Sequence, residues 1–308
     1  MKRHEFCRAE YRSHRYLEFL SDVELRIRAK DIFLNMAILT PKGQLGLHSL
    51  DKGGVFWIDK WTHLLEEFVL RYGPYPNGFK DGFMKDAPIV TSTYPDIPPS
   101  KIAIDEVKGH KDGSLYKFGL KKYLDPMFKY GKIRIAPASL YNDSSLNRAI
   151  RDDELSFSYS KRSDRLVIKN YDGEIIPTYG NVNFCLKSKT NYYVHCFSYR
   201  YTYREYDDFE ANACIIIHKP RVLFQKMMRA VSKILPEFHG FASPVKYIDP
   251  LLCNENDIEL FLSKHFRYSY QNEVRTIWVP PTPKLILEPI TIELGSMQSY
   301  ADIIYVNN

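Results

Sequence analysis

"LYKFGLKKYLDPMFKYGKIRIAPASLYND" (residues 115–143) changes character twice within one short stretch. Residues 114–120 read as a short strand. Residues 121–131 read as one or two turns of helix closed by Gly131, in spite of Pro126. Residues 132–140 alternate apolar and polar side chains as a strand does. The following "YNDSSLNRAIRDDE" is crowded with side chains that favour turns and helix caps, and Asn142 and Asp143 are first of all turn or cap residues.

Downstream the strands continue. They are expected at 165–170, 182–188, 191–201, 211–219, 244–249 and 289–296. Two helices interrupt them: Arg221 to Leu235, with Leu223, Met227, Val231 and Ile234 on one face, and "DIELFLSKHF" at 257–266. With few signs of a regular β-α-β repeat, this part reads as a β-rich α+β domain.

Upstream the pattern is helical. Tyr16, Leu20, Val23 and Ile27 recur at helical spacing, and "SDVE" at Ser21–Glu24 is a capping box that divides the stretch in two. "TPKG" at 40–43 stops it. Trp57, Trp61, Leu64, Leu65 and Phe68 form a second apolar face, ended by "YGPYPNG" at 72–78. The Pro-, Ser- and Thr-rich "APIVTSTYPDIPPS" (87–100) reads as a linker, giving a mainly helical region over 1–105 and a β-rich domain over 106–308.

Composition narrows the classes. The chain of 308 residues is 44% apolar, yet no apolar run is long enough to span a membrane and no apolar segment follows the basic N-terminus. Five scattered cysteines (Cys7, Cys185, Cys196, Cys214, Cys253) form no C-x-x-C pair, so neither zinc nor a disulfide framework is indicated and a cytoplasmic protein is expected. The net charge of +6 is unevenly spread, with six Lys or Arg against one Asp over 117–134. That segment suits either a solvated helix surface or an electrostatic footprint for nucleic acid or an anionic ligand. Glycine-rich nucleotide loops, a nucleophile elbow and H-E-x-x-H are absent. His195 and Cys196 are neighbours in a strand, face opposite ways and cannot form a dyad. The other histidines are too dispersed for a metal site.

One late stretch carries a polar stripe. In "YQNEVRTIW" (270–278), Gln271, Glu273 and Arg275 alternate, and in a strand they share one face. Taken alone this is a wet strand face with an ion pair of little energetic weight, about 0–1 kcal/mol.

Together with 115–143 and "VHCFSY" (194–199), that stretch resembles a large bacterial family of uncharacterised domains with Y-K-[FY], fNDp, cFS and E-x-E-x-R segments. It is also similar to the ADP-ribosyltransferase superfamily, which shares the strand–helix–Gly–strand opening and a late [EQ]-x-E strand. The similarity covers roughly residues 114–306 and implies an ADP-ribosyltransferase-like α+β domain behind the helical region. It implies an enzyme that cleaves NAD⁺ as substrate and passes ADP-ribose to a protein or nucleic-acid acceptor, in the setting of a bacterial toxin or phage defence. By the same resemblance Glu273 stabilises the charge that develops on the ribose, and Gln271 positions the acceptor. Tyr116 and Lys117 stand where the first strand has an Arg or His that holds the dinucleotide. Ser139 or Tyr141 braces the nicotinamide ribose pocket, and Arg275 orients Glu273. The chain departs from the pattern at Gln271, at the first strand, and at "YREYDDFEANAC" after the cFS segment. Those departures leave two further readings: a non-catalytic nucleotide or nucleic-acid binding module, and an NAD⁺ glycohydrolase.

Overall fold

The computed structural model describes residues 2–39, 44–48, 53–83, 85, 103 and 113–306; the 87–100 segment and the boundary near residue 105 lie outside them. In chain order the first part holds α1 (Arg3–His14), α2 (Asp22–Met36), the small hairpin β1 (Ala37–Leu39) and β2 (Leu45–Leu47), and α3 (Gly54–Tyr72). The second part begins with β3 (Leu115–Gly119), α4 (Lys121–Tyr130) and β4 (Lys132–Pro137). It continues through β5 (Ser156–Arg162), β6 (Ile168–Lys169), β7 (Ile175–Ile176), β8 (Asn181–Lys187) and β9 (Tyr193–Ser198). Then come α5 (Arg204–Asp208), β10 (Ala213–Ile217), α6 (Pro220–Ile234), β11 (His239–Pro244), β12 (Lys246–Ile248), β13 (Ser263–His265), β14 (Glu273–Val279), β15 (Ile290–Glu293) and β16 (Ala301–Tyr305). The architecture is α+β, helices first and a mainly antiparallel sheet after.

Local rules account for the helix starts and stops. At Ser21 the side chain accepts from the Glu24 N–H, while Glu24 accepts from the Ser21 N–H at 2.7 Å, so α2 starts afresh at Asp22. Arg15, with a φ of 32°, has already broken the helical phase. The apolar face expected from Tyr16 through Ile27 is therefore not continuous. Val23 and Ile27 are exposed, and α2 buries Leu25, Ala29 and Ile32 instead. On α3 the expected face holds, with Trp57, Leu64 and Phe68 buried.

The helices seat on the β-rich part through two buried contacts. Phe266 inserts among Ile32, Met36 and Trp57. Asp249 receives the Arg28 guanidinium at 2.5 and 3.1 Å and also the Lys60 ammonium.

In the main sheet the strands run β11-β14-β9-β3-β10-β16. The neighbours of β9 decide where a cavity can form. One edge pairs with β14 from Trp278 opposite Tyr193 to Glu273 opposite Ser198. Along its other edge β9 meets two strands, β3 at Tyr116 opposite Ser198 and β4 at Ala136 and Pro137 opposite Val194 and Tyr193. Between those contacts β3 and β4 diverge, joined by α4. One face of the sheet is sealed by α4 and α6, whose Leu124, Met127, Leu223, Met227 and Val231 pack on Ile215, Ile217 and Trp278. Ile234, expected on that apolar face, lies at the frayed end of α6 and is exposed.

Three expectations fail locally. Residues 257–266 are not a helix: a 3-10 turn, Glu255–Asp257, leads through turns into β13. The run of apolar residues there serves two clusters, Ile258 and Leu260 packing with Phe157 and Tyr159, Phe261 and Leu262 with Tyr192 and Ile277. The strand expected over 132–140 stops at Pro137 and turns into a 3-10 segment, Ala138–Tyr141, and the strand at 165–170 shrinks to β6.

Candidate functional site

Tyr116, Ser198 and Glu273 stand in register on three neighbouring strands, β3, β9 and β14. All three line a cavity of about 440 Å³ that opens where β3 and β4 part. That volume lies in the range of small-molecule sites.

Glu273 is 5% exposed, and both of its oxygens are engaged. Arg275 Nε donates to Oε1 at 2.6 Å and Lys264 Nζ to Oε2 at 3.0 Å. Burial alone would push this carboxyl up, but Arg275 and Lys264 outweigh it and hold the group ionised, well below the usual carboxylate range. Glu154 closes the network, with Oε2 2.6 Å from Arg275 Nη2 and Oε1 3.7 Å from Lys264. Two carboxylates and two cations thus balance in a place where a lone charge is costly.

Gln271 is not a strand residue. It ends the 3-10 segment Phe266–Gln271, and Asn272, with a φ of 46°, turns the chain before β14 begins. The expected alternation of Gln271, Glu273 and Arg275 therefore covers only the last two. Gln271 nonetheless reaches the same place by another route, because its Oε1 accepts from Lys264 Nζ at 3.1 Å while its Nε2 donates to the Ala149 carbonyl at 2.7 Å. Lys264, rather than the strand pleat, brings Gln271 and Glu273 together.

The remaining sequence-derived candidates divide. Lys117 lines the cavity, and its Nζ donates to the Cys196 carbonyl at 2.8 Å across the gap left by the diverging strands. Burial pushes its ammonium down. Tyr141 also lines the cavity, its phenol pushed up by burial. Ser139 does not. It lies exposed, with its Oγ accepting from Asn191 Nδ2 at 2.8 Å, and it serves the turn after β4. Arg275 is fully buried behind Glu273 and also donates to the Phe261 carbonyl at 3.0 Å. It fixes Glu273 and does not itself line the cavity, so a direct cofactor contact by Arg275 is corrected to a supporting one.

Sequence reasoning missed four contributors. Ser198 lay inside the quoted "VHCFSY", yet the bracing role went to Ser139 or Tyr141. Its signal was the strand register, which a single sequence does not carry. Lys264 was hidden by reading 257–266 as a helix. Glu154 and Glu205 sat in segments that read as loops, and both line the cavity. His195 and Cys196 do face opposite ways: the His195 ring packs on Phe197 at 5.0 Å, while Cys196 lies beside Glu273. Burial and Lys117 push the His195 imidazole well down.

No protein-family model, curated protein or solved structure matches the chain. Among the described residues no helix is long and apolar enough to cross a membrane.

Proposed function

We propose that the β-rich domain is an ADP-ribosyltransferase-like enzyme whose cavity receives NAD⁺. The observation that carries this reading is the row Tyr116–Ser198–Glu273 along one wall of the cavity, with Glu273 kept ionised. Cleavage of the glycosidic bond of NAD⁺ sends its electron pair to the nicotinamide nitrogen and leaves positive charge on the ribose. A fixed, desolvated carboxylate stabilises that charge without having to reorganise. An acceptor nucleophile then bonds to the ribose carbon and gives up its proton; when the acceptor is water the reaction is NAD⁺ hydrolysis. A protein or nucleic acid is the acceptor class, and a toxin or phage-defence role is the setting in keeping with such chemistry.

A second reading has its own support. Glu273 is tied by two cations and Lys117 by a backbone carbonyl, which suits a rigid binding module for a nucleotide or nucleic-acid end. Nicotinamide release from NAD⁺ separates the two. Release by the wild type that falls at least a hundredfold in Glu273→Gln supports the transferase reading, the size expected when an electrostatic stabiliser is removed, about 10²–10³. No release, with or without lysate or nucleic acid, overturns it. Because Glu273→Gln leaves Lys264 and Arg275 short of one anion, its melting temperature is measured alongside. A variant that stays folded and still releases nicotinamide removes Glu273 from the chemistry.

A further inference from the structure

Two carboxyls in the cavity wall are held in opposite states. Glu273 faces two cations. Glu205, on α5, faces none: it is fully buried, and its only hydrogen-bonded side-chain neighbour is Ser198, whose Oγ lies 3.2 Å from Glu205 Oε1. The nearby cation, Arg204, is engaged with Asp208 at 2.5 Å and stacks on Tyr270. Glu205 Oε2 lines the buried side of the site with no hydrogen-bond partner, and the Thr202 hydroxyl beside it makes none either. Burial pushes this carboxyl well up.

Hydrogen-bond directions around Ser198 locate the proton. Ser198 has one hydroxyl hydrogen, and it has two close carbonyl acceptors, Arg200 at 2.7 Å and Gln271 at 2.8 Å. A hydroxyl oxygen also accepts. With its hydrogen directed to a carbonyl, Ser198 Oγ is free to accept from a protonated Glu205 Oε1. That leaves Oε2 as a bare carbonyl oxygen in a site where an unmet acceptor is costly. Its surroundings are aromatic: α5 packs on β3, and Tyr116, Phe118 and Phe209 line the same end of the cavity. The charged end, with Lys264 and Glu273, lies beyond Ser198.

We propose that Glu205 is a neutral carboxylic acid, its proton given to Ser198, whose free Oε2 accepts an N–H from a planar heteroaromatic ring seated among Tyr116, Phe118 and Phe209. This deepens the proposed function and rests on the cavity being a nucleotide site. An amine-bearing ring of this kind has two sources in a dinucleotide, the primary carboxamide of nicotinamide and the exocyclic amine of adenine. Glu205 thus makes one end of the cavity selective for a ring that carries an N–H donor.

The test is calorimetric titration of the full chain with NAD⁺, nicotinamide, adenosine, and the amine-free analogues 3-acetylpyridine and purine riboside. In the wild type one amine-bearing ring is expected to bind roughly tenfold more tightly than its amine-free analogue, the weight of one buried donor left unpaired. Glu205→Leu is expected to erase that preference, and Glu205→Gln, which keeps a carbonyl and donates its amide to Ser198, to retain it. Nicotinamide and adenosine identify which ring is seated. A preference that survives in Glu205→Leu, or that is lost equally in Glu205→Gln, overturns the proposal while NAD⁺ binding still stands. Absence of binding by NAD⁺ and by both rings in the wild type overturns the nucleotide reading itself, and the proposal with it. Melting temperatures of both variants show that the fold is kept; if Glu205→Leu does not fold, the wild-type preference together with Glu205→Gln still decides.

Discussion

Two buried charge clusters sit in this molecule, and they differ in what surrounds them. At the seam between the helices and the sheet, Asp249 is enclosed by Arg28 and Lys60, with the Phe266 ring 4.8 Å from the Arg28 guanidinium. At the cavity, Glu154, Glu273, Lys264 and Arg275 form a balanced quartet, and three of the four border open space. The first joins two parts of the fold and has no solvent-accessible role. The second is equally buried but has a void beside it, so its charges are available to a ligand. Burial of charge alone does not mark a site; burial next to a shaped void does.

The comparison can be broken at several points. The largest effect is expected at the seam. Asp249→Asn strands Arg28 and Lys60 without an anion and should lower stability by about 3–5 kcal/mol. Denaturant unfolding measures this, and a loss below about 1 kcal/mol would mean that the seam is no tighter than a surface pair. Ligand binding at the cavity, measured under conditions where the variant is folded, should be unchanged.

Acid should act on the same seam. His265, in β13 next to Phe266, accepts from the Arg267 N–H through Nδ1 at 3.1 Å, which requires the neutral ring. Burial and the Arg267 charge push its pKa down to about 3. The unfolded chain takes up this proton near pH 6.5, so the contribution is present above that value. It is lost as pH falls toward 3, by up to about 1.4 kcal/mol per unit. Unfolding midpoints at pH 7.5 and 5 should therefore differ more in the wild type than in His265→Asn. Equal slopes would remove His265 from the acid response; His195, buried and shifted the same way, is the next group to replace.

The smallest effect is expected at Ser139. Its hydrogen bond to Asn191 serves the turn, so Ser139→Ala should cost about 1 kcal/mol of stability and leave ligand affinity where it was. A changed affinity would extend the cavity past its present wall.

What the sequence disclosed follows the range of the forces involved. β3, α4, Gly131 and β4 were legible because propensity, a C-terminal glycine with a φ of 66° and an alternating strand all act within a few residues. Glu273 and Arg275 were legible for the same reason, as neighbours on one strand face. Gln271 was misread because Asn272 takes a left-handed conformation that no local pattern announces. Lys264 and Ser198 required knowledge of which strands lie side by side. The place of Ser198 is fixed by Tyr116 and Glu273, both far from it in the chain. Long-range register, not local preference, assembled the cavity.

That register gives α4 a consequence of its own. β3 and β4 leave the same edge of β9 at different points, and α4 is the spacer between them. Its ten residues, at about 1.5 Å each, make a rod of about 15 Å. The far end of the rod is pinned, since a side chain at Gly131 would lie 2.5 Å from the Gly295 carbonyl oxygen. The width of the cavity mouth is therefore a counted length: one residue more or less in α4 would change the aperture without touching any residue that lines it.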